Sequence, residues 1–211
     1  MNRCIIVGAG EFFPGCTIHK HPGDLLIAAD GGYKYLKELN LTPDLLVADF
    51  DSLTVTAPAE VPVLRFKPEK DDTDMGLAIS EGVWRGYTEF VLYGGTGGRQ
   101  DHTFANYQAL IGLSKKGMRG YLVGDGYLTT AITDSALSLN PLPAGTVSVF
   151  AADSRCEGVS IRGLKYEIDH APLTNDFPLG VSNELVGKPA IISVEKGTLL
   201  IFCPIEALLS D

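Results

Sequence analysis

The segments LLIAAD (residues 25–30) and LLVADFD (residues 45–51) decide the fold, because each is a short apolar run that ends in an aspartate. Continuous apolar runs of this length predict strands that are buried on both faces. Comparable runs occur at residues 3–8, 61–66, 90–93 and 121–123. Segments with helical spacing lie between these runs, so the first half of the chain predicts a mainly parallel sheet covered by helices.

Apolar spacing predicts two helices in this half of the chain. Met75, Ile79 and Val83 recur every four residues, and Phe104, Tyr107 and Ile111 follow the i, i+3, i+7 stripe of a second helix. Gly117 follows two lysines and is a typical residue just past a helix end. Trp84, at the end of the first predicted helix, is interpreted as a packing residue.

After about residue 130 the pattern changes to short β-prone runs separated by Gly, Pro and Asn turns. These runs cover residues 146–150, 159–162, 165–168, 190–194 and 199–202. Such a series without helical periods is typical of a small antiparallel sandwich or barrel. The sequence therefore predicts an α/β domain with a mainly parallel sheet over residues 1–130, followed by an all-β sandwich domain over residues 131–211.

Composition narrows the class of protein. The 211 residues include 17 Lys and Arg against 26 Asp and Glu, a net charge of −9, which argues against a generally basic nucleic-acid binder. No apolar stretch approaches the length of a membrane helix, and the N-terminal apolar run is too short for a signal peptide. The four cysteines form no CxxC pair and are expected to be reduced and buried. We expect a cytoplasmic protein without a membrane or nucleic-acid partner.

Acidic residues follow several of the predicted strands. They are Asp30, the pair Asp49 and Asp51, the group Asp71, Asp72 and Asp74, and Asp101. Ligands of parallel sheets bind beyond the carboxyl ends of the strands, where these side chains should meet. Helix capping is the alternative for any one of them, since Asp is a favoured N-cap residue. Clustered carboxylates repel one another without a cation, and Mg²⁺ prefers their oxygens, so the cluster predicts metal-assisted phosphate chemistry.

The loop Gly94-Gly95-Thr96-Gly97-Gly98-Arg99 supports this prediction. Glycines allow a backbone to approach a phosphate, and a following helix would present free amides at its N-terminus. Arg99 adds a forked donor for phosphate oxygens. The loop is not a Walker A motif, because GxxxxGK[ST] does not occur in the chain.

Taken in order along the chain, these motifs resemble those of the thiamine pyrophosphokinase family. The matching blocks are ADGG (29–32), PDLLVADFDS (43–52), KDDTD (70–74), GGTGGRQDH (94–102), GLKY (163–166) and SN (182–183). Each block alone is weak evidence for the resemblance, but six blocks in the same order as in the family are specific evidence for it. One departure is Ala48, where the family usually has Gly before the first aspartate of the second block.

The resemblance implies a two-domain enzyme that transfers a pyrophosphoryl group from ATP to the hydroxyethyl group of thiamine and releases AMP. It also implies a homodimer in which the sandwich domain of one chain faces the α/β domain of the other across the active site. The implied cofactor is Mg²⁺, with ATP as co-substrate and thiamine as acceptor.

The resemblance also assigns residues to roles. Three aspartates would hold Mg²⁺ with the ATP phosphates: Asp49, Asp51 and Asp74. Asp30 would support that site, while Asp71 and Asp101 would bind metal, position the thiamine hydroxyl or take its proton. The phosphate contacts would come from Lys70, Gly95, Gly97, Gly98 and Arg99, and the thiamine contacts from Tyr166, Ser182 and Asn183.

Some alternatives remain open at this stage. Tyr166 is either a core aromatic of a strand or a stacking residue for a heteroaromatic ring. A non-catalytic nucleotide- or thiamine-binding regulator with the same architecture is the alternative function, and a metal-dependent phosphohydrolase is a third. A Ser–His–Asp hydrolase is unsupported, because no GxSxG motif occurs.

Overall fold

The chain folds into two compact units in a computed structural model that describes residues 2–14, 16–49, 60–66 and 72–208. The first unit comprises the described residues between Met1 and Ala109 together with Leu122–Asp125. The second comprises Leu110–Tyr121 and the described residues from Gly126 onward. The predicted limits 1–130 and 131–211 stay a prediction, because they concern the function of each domain as well as its extent.

The first unit is built on a parallel sheet. Its strands are β1 (Cys4–Val7), β2 (Leu25–Ala29), β3 (Leu45–Asp49), β4 (Val63–Phe66) and β5 (Glu89–Tyr93). They pair in the order β5-β1-β2-β3-β4, and every one of these pairings is parallel. Strand β6 (Arg119–Val123) contributes its last two residues to this unit. The predicted parallel sheet is confirmed.

Helices cover this sheet because its strands are apolar on both faces. Every residue of β1 and β2 is buried. The helices are α1 (Tyr33–Glu38), α2 (Asp74–Trp84) and α3 (Gln100–Lys115), the last shared with the second unit. Leu36 of α1 is fully buried with Leu26 of β2 and Leu46 of β3 in the core of the unit. Burial on both faces is the usual state of a parallel sheet.

Two packing predictions in this unit are wrong. Trp84 is 79% exposed, and Phe104 is 62% exposed. The buried positions of α3 are instead Thr103, Asn106, Leu110, Leu113 and Ser114, so the helix is rotated away from the stripe that its aromatic residues suggested. The buried stripe contains polar residues with partners in the fold, which hydrophobic spacing does not detect.

From Gly126 onward, the second unit is built mainly of antiparallel strands. They are β7 (Tyr127–Thr133), β8 (Ala136–Leu139), β9 (Thr146–Ala151), β10 (Arg155–Arg162), β11 (Ile168–Thr174), β12 (Gly180–Glu184), β13 (Ala190–Ser193) and β14 (Thr198–Pro204). One group pairs in the order β12-β9-β14-β7, and the other pairs in the order β11-β10-β13-β8. A single apolar core takes side chains from both groups, including Val149 and Ile201 from the first and Val159 and Ile192 from the second. The predicted all-β sandwich is confirmed.

One predicted strand does not form, and three strands of the structure were not predicted. Residues 165–168 do not form a strand, because β11 begins only at Ile168 and residues 163–167 form an irregular connection after β10. Strands β7, β8 and β12 were not predicted. Strand β7 is buried at five consecutive positions and shows no alternation, β8 has only four residues, and β12 contains a bulge. The region around residues 125–140, interpreted as a boundary, contains two of these strands.

The cysteine and membrane predictions can be compared with the described residues. All four cysteines are free thiols, three of them buried and Cys16 partly exposed. Burial raises the pKa of Cys4 and of Cys203 to about 12, so both thiols are unreactive at neutral pH. Among the described helices, none has both the length and the apolar character to cross a membrane.

An ion pair at the edge of the first unit gives a testable stability effect. The Asp24 carboxylate, with 2% of its side chain exposed, accepts hydrogen bonds from the Arg3 side chain at 2.7 Å and from the His21 backbone N–H at 3.0 Å. We expect Asp24→Ala to lower the free energy of unfolding by about 3 kcal/mol, because it leaves Arg3 and these donors without their acceptor. Urea denaturation measures the loss.

The pH dependence of this effect has a defined sign. Burial raises the pKa of Asp24, but the hydrogen bonds from Arg3 and His21 outweigh it and hold that pKa below its usual value. The stabilisation is therefore present at pH values above the pKa that Asp24 has in the unfolded chain. It is lost as the pH falls through the lower pKa that Asp24 has in the folded protein. Glu81→Ala, which removes a partly exposed helix pair with Arg85, is the control and should cost about 0.5 kcal/mol or less. Equal losses in both variants would contradict the assignment.

Candidate active site

The carboxyl ends of the parallel strands place the candidate residues at one edge of the sheet. In the register, Val7 lies beside both Ala28 and Tyr93, and Ala29 lies beside Val47. The chain leaves these strands at Gly8, Asp30, Asp49 and Gly94, which therefore share that edge. This is the arrangement that the sequence predicted for the acidic strand ends and the glycine loop.

The two glycine-containing loops of this edge pair with each other. The backbone N–H of Gly10 donates to the carbonyl of Gly94 at 2.8 Å, and that of Glu11 donates to the carbonyl of Thr96 at 2.9 Å. A Cβ atom on Gly10 would lie 2.6 Å from the Gly94 oxygen, and one on Gly94 would lie 2.4 Å from the Gly8 oxygen. Close approach of two protein backbones explains these glycines without any ligand.

Other glycines of the loop have different surroundings. A Cβ on Gly95 would lie 2.7 Å from the side chain of Leu122, and one on Gly97 would lie 2.5 Å from the side chain of Glu11. Gly98 has a φ of +58° and open space where a Cβ would stand. Among the three glycines predicted to contact phosphates, Gly98 thus offers a bare, exposed backbone next to the start of α3.

Asn106 holds the glycine loop from α3, and sequence reasoning missed it. The residue is 94% buried, and its side-chain amide donates to the carbonyl of Gly95 at 2.7 Å. Thr103, one turn earlier, donates through its backbone N–H to the carbonyl of Arg99 at 3.1 Å. An asparagine in an otherwise buried helical stripe is the only signal in the sequence that could have revealed this support.

Arg99 and Asp101 form an exposed ion pair at the start of α3. Arg99 Nη2 lies 2.5 Å from Asp101 Oδ2, and Nε lies 3.2 Å from Oδ1. The hydrogen bond from Arg99 lowers the pKa of Asp101 to about 2, and the carboxylate in turn raises the pKa of Arg99. While this pair is intact, Asp101 is a weak proton acceptor at neutral pH.

The acidic motif before α2 combines helix capping with a candidate ligand. Thr73 is the N-cap and accepts a hydrogen bond from the backbone N–H of Gly76 at 3.0 Å. Asp72 accepts from the backbone N–H of Thr73 at 2.8 Å, and its carboxylate lies over Gly76. Asp74 is the first residue of α2. Thr73 rather than an acid is therefore the cap of α2, and Asp72 lies one residue before it, where it binds the backbone of Thr73.

The remaining acidic and basic candidates are described only in part. Asp30 follows β2 directly, with a φ of +49°, and begins a single 3-10 turn. Asp49 ends β3, and its carboxylate lies outside the described part of the chain, as do Asp51, Lys70 and Asp71. Among the described residues, no three His, Cys, Asp or Glu side chains are placed to hold a metal ion. The predicted set Asp49, Asp51 and Asp74 stays a prediction.

The thiamine-side candidates all lie in the second unit. The Tyr166 side chain is not in the core, since it is 59% exposed, so the core alternative is wrong. Ser182 is exposed and has a φ of +57°. Asn183 is 96% buried and bonds to the backbone of Tyr166. The structure therefore brings Tyr166 and Asn183 together.

Two buried hydroxyls give a stability prediction. Within the described part of the chain, Thr96 Oγ1 in the glycine loop and Thr129 Oγ1 in β7 are buried without a hydrogen-bond partner. We expect Thr96→Val to raise the free energy of unfolding by about 1 kcal/mol, because valine has nearly the same shape and removes the unpaired group. Thr129→Val is the matched variant in the second unit and should act alike. A loss above about 1 kcal/mol in denaturation would show that the hydroxyl is hydrogen-bonded in solution.

Comparison with known proteins matches two successive parts of the chain to two domains of one family. Residues 20–122 match the family model "Thiamin pyrophosphokinase, catalytic domain", and residues 137–199 match "Thiamin pyrophosphokinase, vitamin B1 binding domain". The thiamine pyrophosphokinase of Bacillus subtilis (strain 168) is 25% identical over 218 residues, covering 95% of this chain and 97% of that protein.

Solved structures are similar in fold over nearly the whole chain. The crystal structure of thiamine pyrophosphokinase from Bacillus subtilis has a TM-score of 0.87 at 24% identity, covering 96% of this chain and 99% of the other. The enzyme from Geobacillus thermodenitrificans has a TM-score of 0.82 at 25% identity and covers 99% and 98%. The yeast enzyme has a TM-score of 0.69 at 16% identity and covers 96% and 86%.

Proposed function

We propose that this chain, which belongs to the thiamin pyrophosphokinase family, transfers a pyrophosphoryl group from ATP to the hydroxyl of thiamine. The products are thiamine diphosphate and AMP. The observation that carries the proposal is the match of both family domains, in order, to a chain whose acidic strand ends and glycine loop share one sheet edge.

The reaction balances as a substitution at the β-phosphorus of ATP. The thiamine oxygen forms a bond to that phosphorus, the bond from the phosphorus to the α-phosphate oxygen breaks, and AMP leaves with the electron pair. The hydroxyl proton passes to a base, for which Asp71 and Asp101 are the candidates. Alignment of the alcohol and neutralisation of phosphate charge are what such a reaction requires from a protein.

Asp49, Asp51 and Asp74 would hold Mg²⁺, with Asp30 supporting them from the end of β2. Their oxygens fit that ion, which binds to one or two carboxylates together with substrate phosphates. When bound, the ion supplies charge neutralisation at the phosphate oxygens. Lys70 and Arg99 would add cationic donors, and Gly95, Gly97 and Gly98 would bring the loop backbone and the amides of α3 to the phosphates.

On the acceptor side, Tyr166, Ser182 and Asn183 would form the thiamine site. The exposed ring of Tyr166 is available for stacking on a heteroaromatic ring, an interaction that aromatic side chains favour in offset geometry. The acidic character of the chain, with its net charge of −9, also suits the cationic thiazolium. We place this activity in the cytoplasm.

The test is to incubate the protein with ATP, Mg²⁺ and thiamine and to separate the products. Equal amounts of AMP and thiamine diphosphate are expected, with none when EDTA replaces Mg²⁺ or when thiamine is omitted. ADP with thiamine monophosphate would refute pyrophosphoryl transfer. Thiamine binding without turnover would favour the non-catalytic regulator, and phosphate release without thiamine would favour the phosphohydrolase.

We also propose a homodimer with active sites formed between the α/β domain of one chain and the sandwich domain of the other. Mixing Asp74→Asn chains with Tyr166→Ala chains and letting the subunits exchange tests this arrangement. Thiamine is held below its normal KM, where Tyr166→Ala alone keeps only about a tenth of the normal activity. Each heterodimer then regains one intact site, so about a quarter of the normal activity should return. No recovery, with subunit exchange verified by mass spectrometry, would refute the shared site.

A further inference from the structure

Tyr166 lies on the short connection between β10 and β11. This connection is bound to β12 and to the residue after it through both backbone and side-chain contacts. Leu164 forms an isolated bridge with Leu185, and both side chains are buried. The backbone N–H of Lys165 donates to the carbonyl of Glu184 at 3.0 Å. Lys165 Nζ also lies 2.7 Å from Glu184 Oε1. The connection is therefore anchored immediately before Tyr166.

Asn183 anchors Tyr166 itself. Its Oδ1 accepts from the backbone N–H of Tyr166 at 3.0 Å, and its Nδ2 donates to the carbonyl of the same residue at 2.6 Å. The same Oδ1 accepts from the backbone N–H of Glu184 at 2.9 Å. Both lone pairs of the amide oxygen and one amide hydrogen are thus used within the chain. With 4% of the residue exposed, little of this amide remains for a ligand.

A bulge in β12 directs Asn183 inward. In a regular strand, side chains alternate between the two faces, so Gly180, Ser182 and Glu184 would share one face and Asn183 the other. The pairing of β12 with β9 shifts register between Gly180 and Asn183, and both of these residues are buried while Val181 and Ser182 are exposed. The positive φ of Ser182 is the conformational cost of this shift.

The anchored connection leaves the ring of Tyr166 in solvent. The side chain is 59% exposed, and Lys165 Nζ lies 5.4 Å from the ring centroid. An exposed aromatic side chain on an irregular connection would ordinarily sample several positions, since little packing restrains it. Here the backbone on which it stands is fixed by a buried amide, which reduces the conformational entropy lost when a ring stacks against it.

We infer that Asn183 is a positioning residue, which fixes the backbone of Tyr166 so that its ring is presented to the acceptor, and that Asn183 does not contact thiamine. The inference rests on the proposed function, because it takes thiamine as the ligand of Tyr166. The sequence resemblance assigned Asn183 to the thiamine contacts, whereas the inference gives it a positioning role. The contact with thiamine is then made by Tyr166.

A double-mutant cycle with Asn183→Ala, Tyr166→Ala and the combined variant tests the inference. Each single substitution should raise the KM for thiamine about tenfold, with the KM for ATP changed less than about twofold. Because Asn183 acts through Tyr166, the combined variant should match Tyr166→Ala within about twofold. Hydrogen exchange at the Tyr166 amide should become faster in Asn183→Ala.

Other outcomes overturn the inference. Multiplicative effects in the combined variant would mean direct contact between Asn183 and thiamine, and an unchanged KM in Tyr166→Ala would remove the residue through which Asn183 acts. If Asn183→Ala does not fold, Asn183→Asp replaces it in the cycle, since it keeps an acceptor oxygen for the Tyr166 N–H and replaces the donor to the Tyr166 carbonyl by an acceptor. Val194→Ala, in the core of the same unit, controls for general destabilisation and should keep the normal KM.

The same measurements separate this inference from the proposed function. An unmodified protein that forms no thiamine diphosphate would refute the proposed function, and the inference with it. An active unmodified protein with multiplicative variants would refute only the role of Asn183.

Discussion

Asp74→Asn should lower kcat by about 10³-fold or more while the protein stays folded. The aspartate is the first residue of α2, and the next residue, Met75, lies against Gly8 at the carboxyl end of β1. A carboxylate that only favours the helix dipole contributes about 0.3–1 kcal/mol to stability, and its replacement by asparagine would leave turnover intact. A carboxylate that holds Mg²⁺ against the phosphates contributes several kcal/mol to the transition state. Steady-state kinetics with circular dichroism separates the two roles.

Asp72→Asn is the matched control for this prediction. It removes the same charge two residues earlier, where the carboxylate accepts from the Thr73 backbone N–H and lies over Gly76. We expect a small loss of stability and nearly normal kcat, because this carboxylate serves the start of the helix. If both variants kept normal turnover, Asp74 would have no place in the metal site. If both lost turnover equally, the effect would come from the charge of the motif as a whole.

The parallel sheet could be predicted from the sequence because its signal is strong and local. Strands such as β2 are apolar at every position, and burial on both faces requires that pattern. Strand β12 shows the opposite case, since its bulge places Val181 and Ser182 on the exposed side together and removes the alternation. The orientation of α3 was mispredicted for a related reason, because its buried face includes Thr103 and Asn106, which pack through polar contacts that periodicity does not record.

The candidate site was predictable as a location and less so in its details. Topology alone brings Asp30 and the glycine loop to one edge, because parallel strands end together there. The reasons for individual residues depend on neighbours distant in sequence. Gly94 is required by the backbone of Gly8, and Asn183 is required by the backbone of Tyr166, and neither relation leaves a pattern in the sequence.

The ion pair of Arg99 and Asp101 indicates how a phosphate would change this edge of the protein. Both side chains are more than 60% exposed, so their mutual attraction is weakened by water and salt. A multiply charged phosphate bound there would offer the guanidinium a stronger partner and would release the carboxylate. Loss of the arginine contact would return the pKa of Asp101 toward its ordinary value and make it a better proton acceptor, which links nucleotide binding to the acid–base candidate.

Arg99→Ala should accordingly lower kcat/KM for ATP by about 10²-fold, because charge-assisted hydrogen bonds to phosphate contribute several kcal/mol when both prongs are made. Arg99→Lys should recover only part of the loss, since lysine keeps the charge but not the fork. In the alanine variant, NMR titration should show the pKa of Asp101 raised from about 2, so that this carboxyl protonates at a higher pH than in the unmodified protein.

The matched control is Arg155→Ala, which removes an exposed arginine whose Nε lies 2.5 Å from Glu157 in the second unit. It breaks a pair of similar length and exposure, and we expect its kinetic constants to stay within about twofold of normal, because exposed pairs contribute little. Identical kinetics in the two alanine variants would show that Arg99 does not contribute to the binding of ATP. A large loss in Arg99→Ala alone, with ATP rather than thiamine binding affected, would place its guanidinium on the phosphates, next to the exposed backbone of Gly98 at the start of α3.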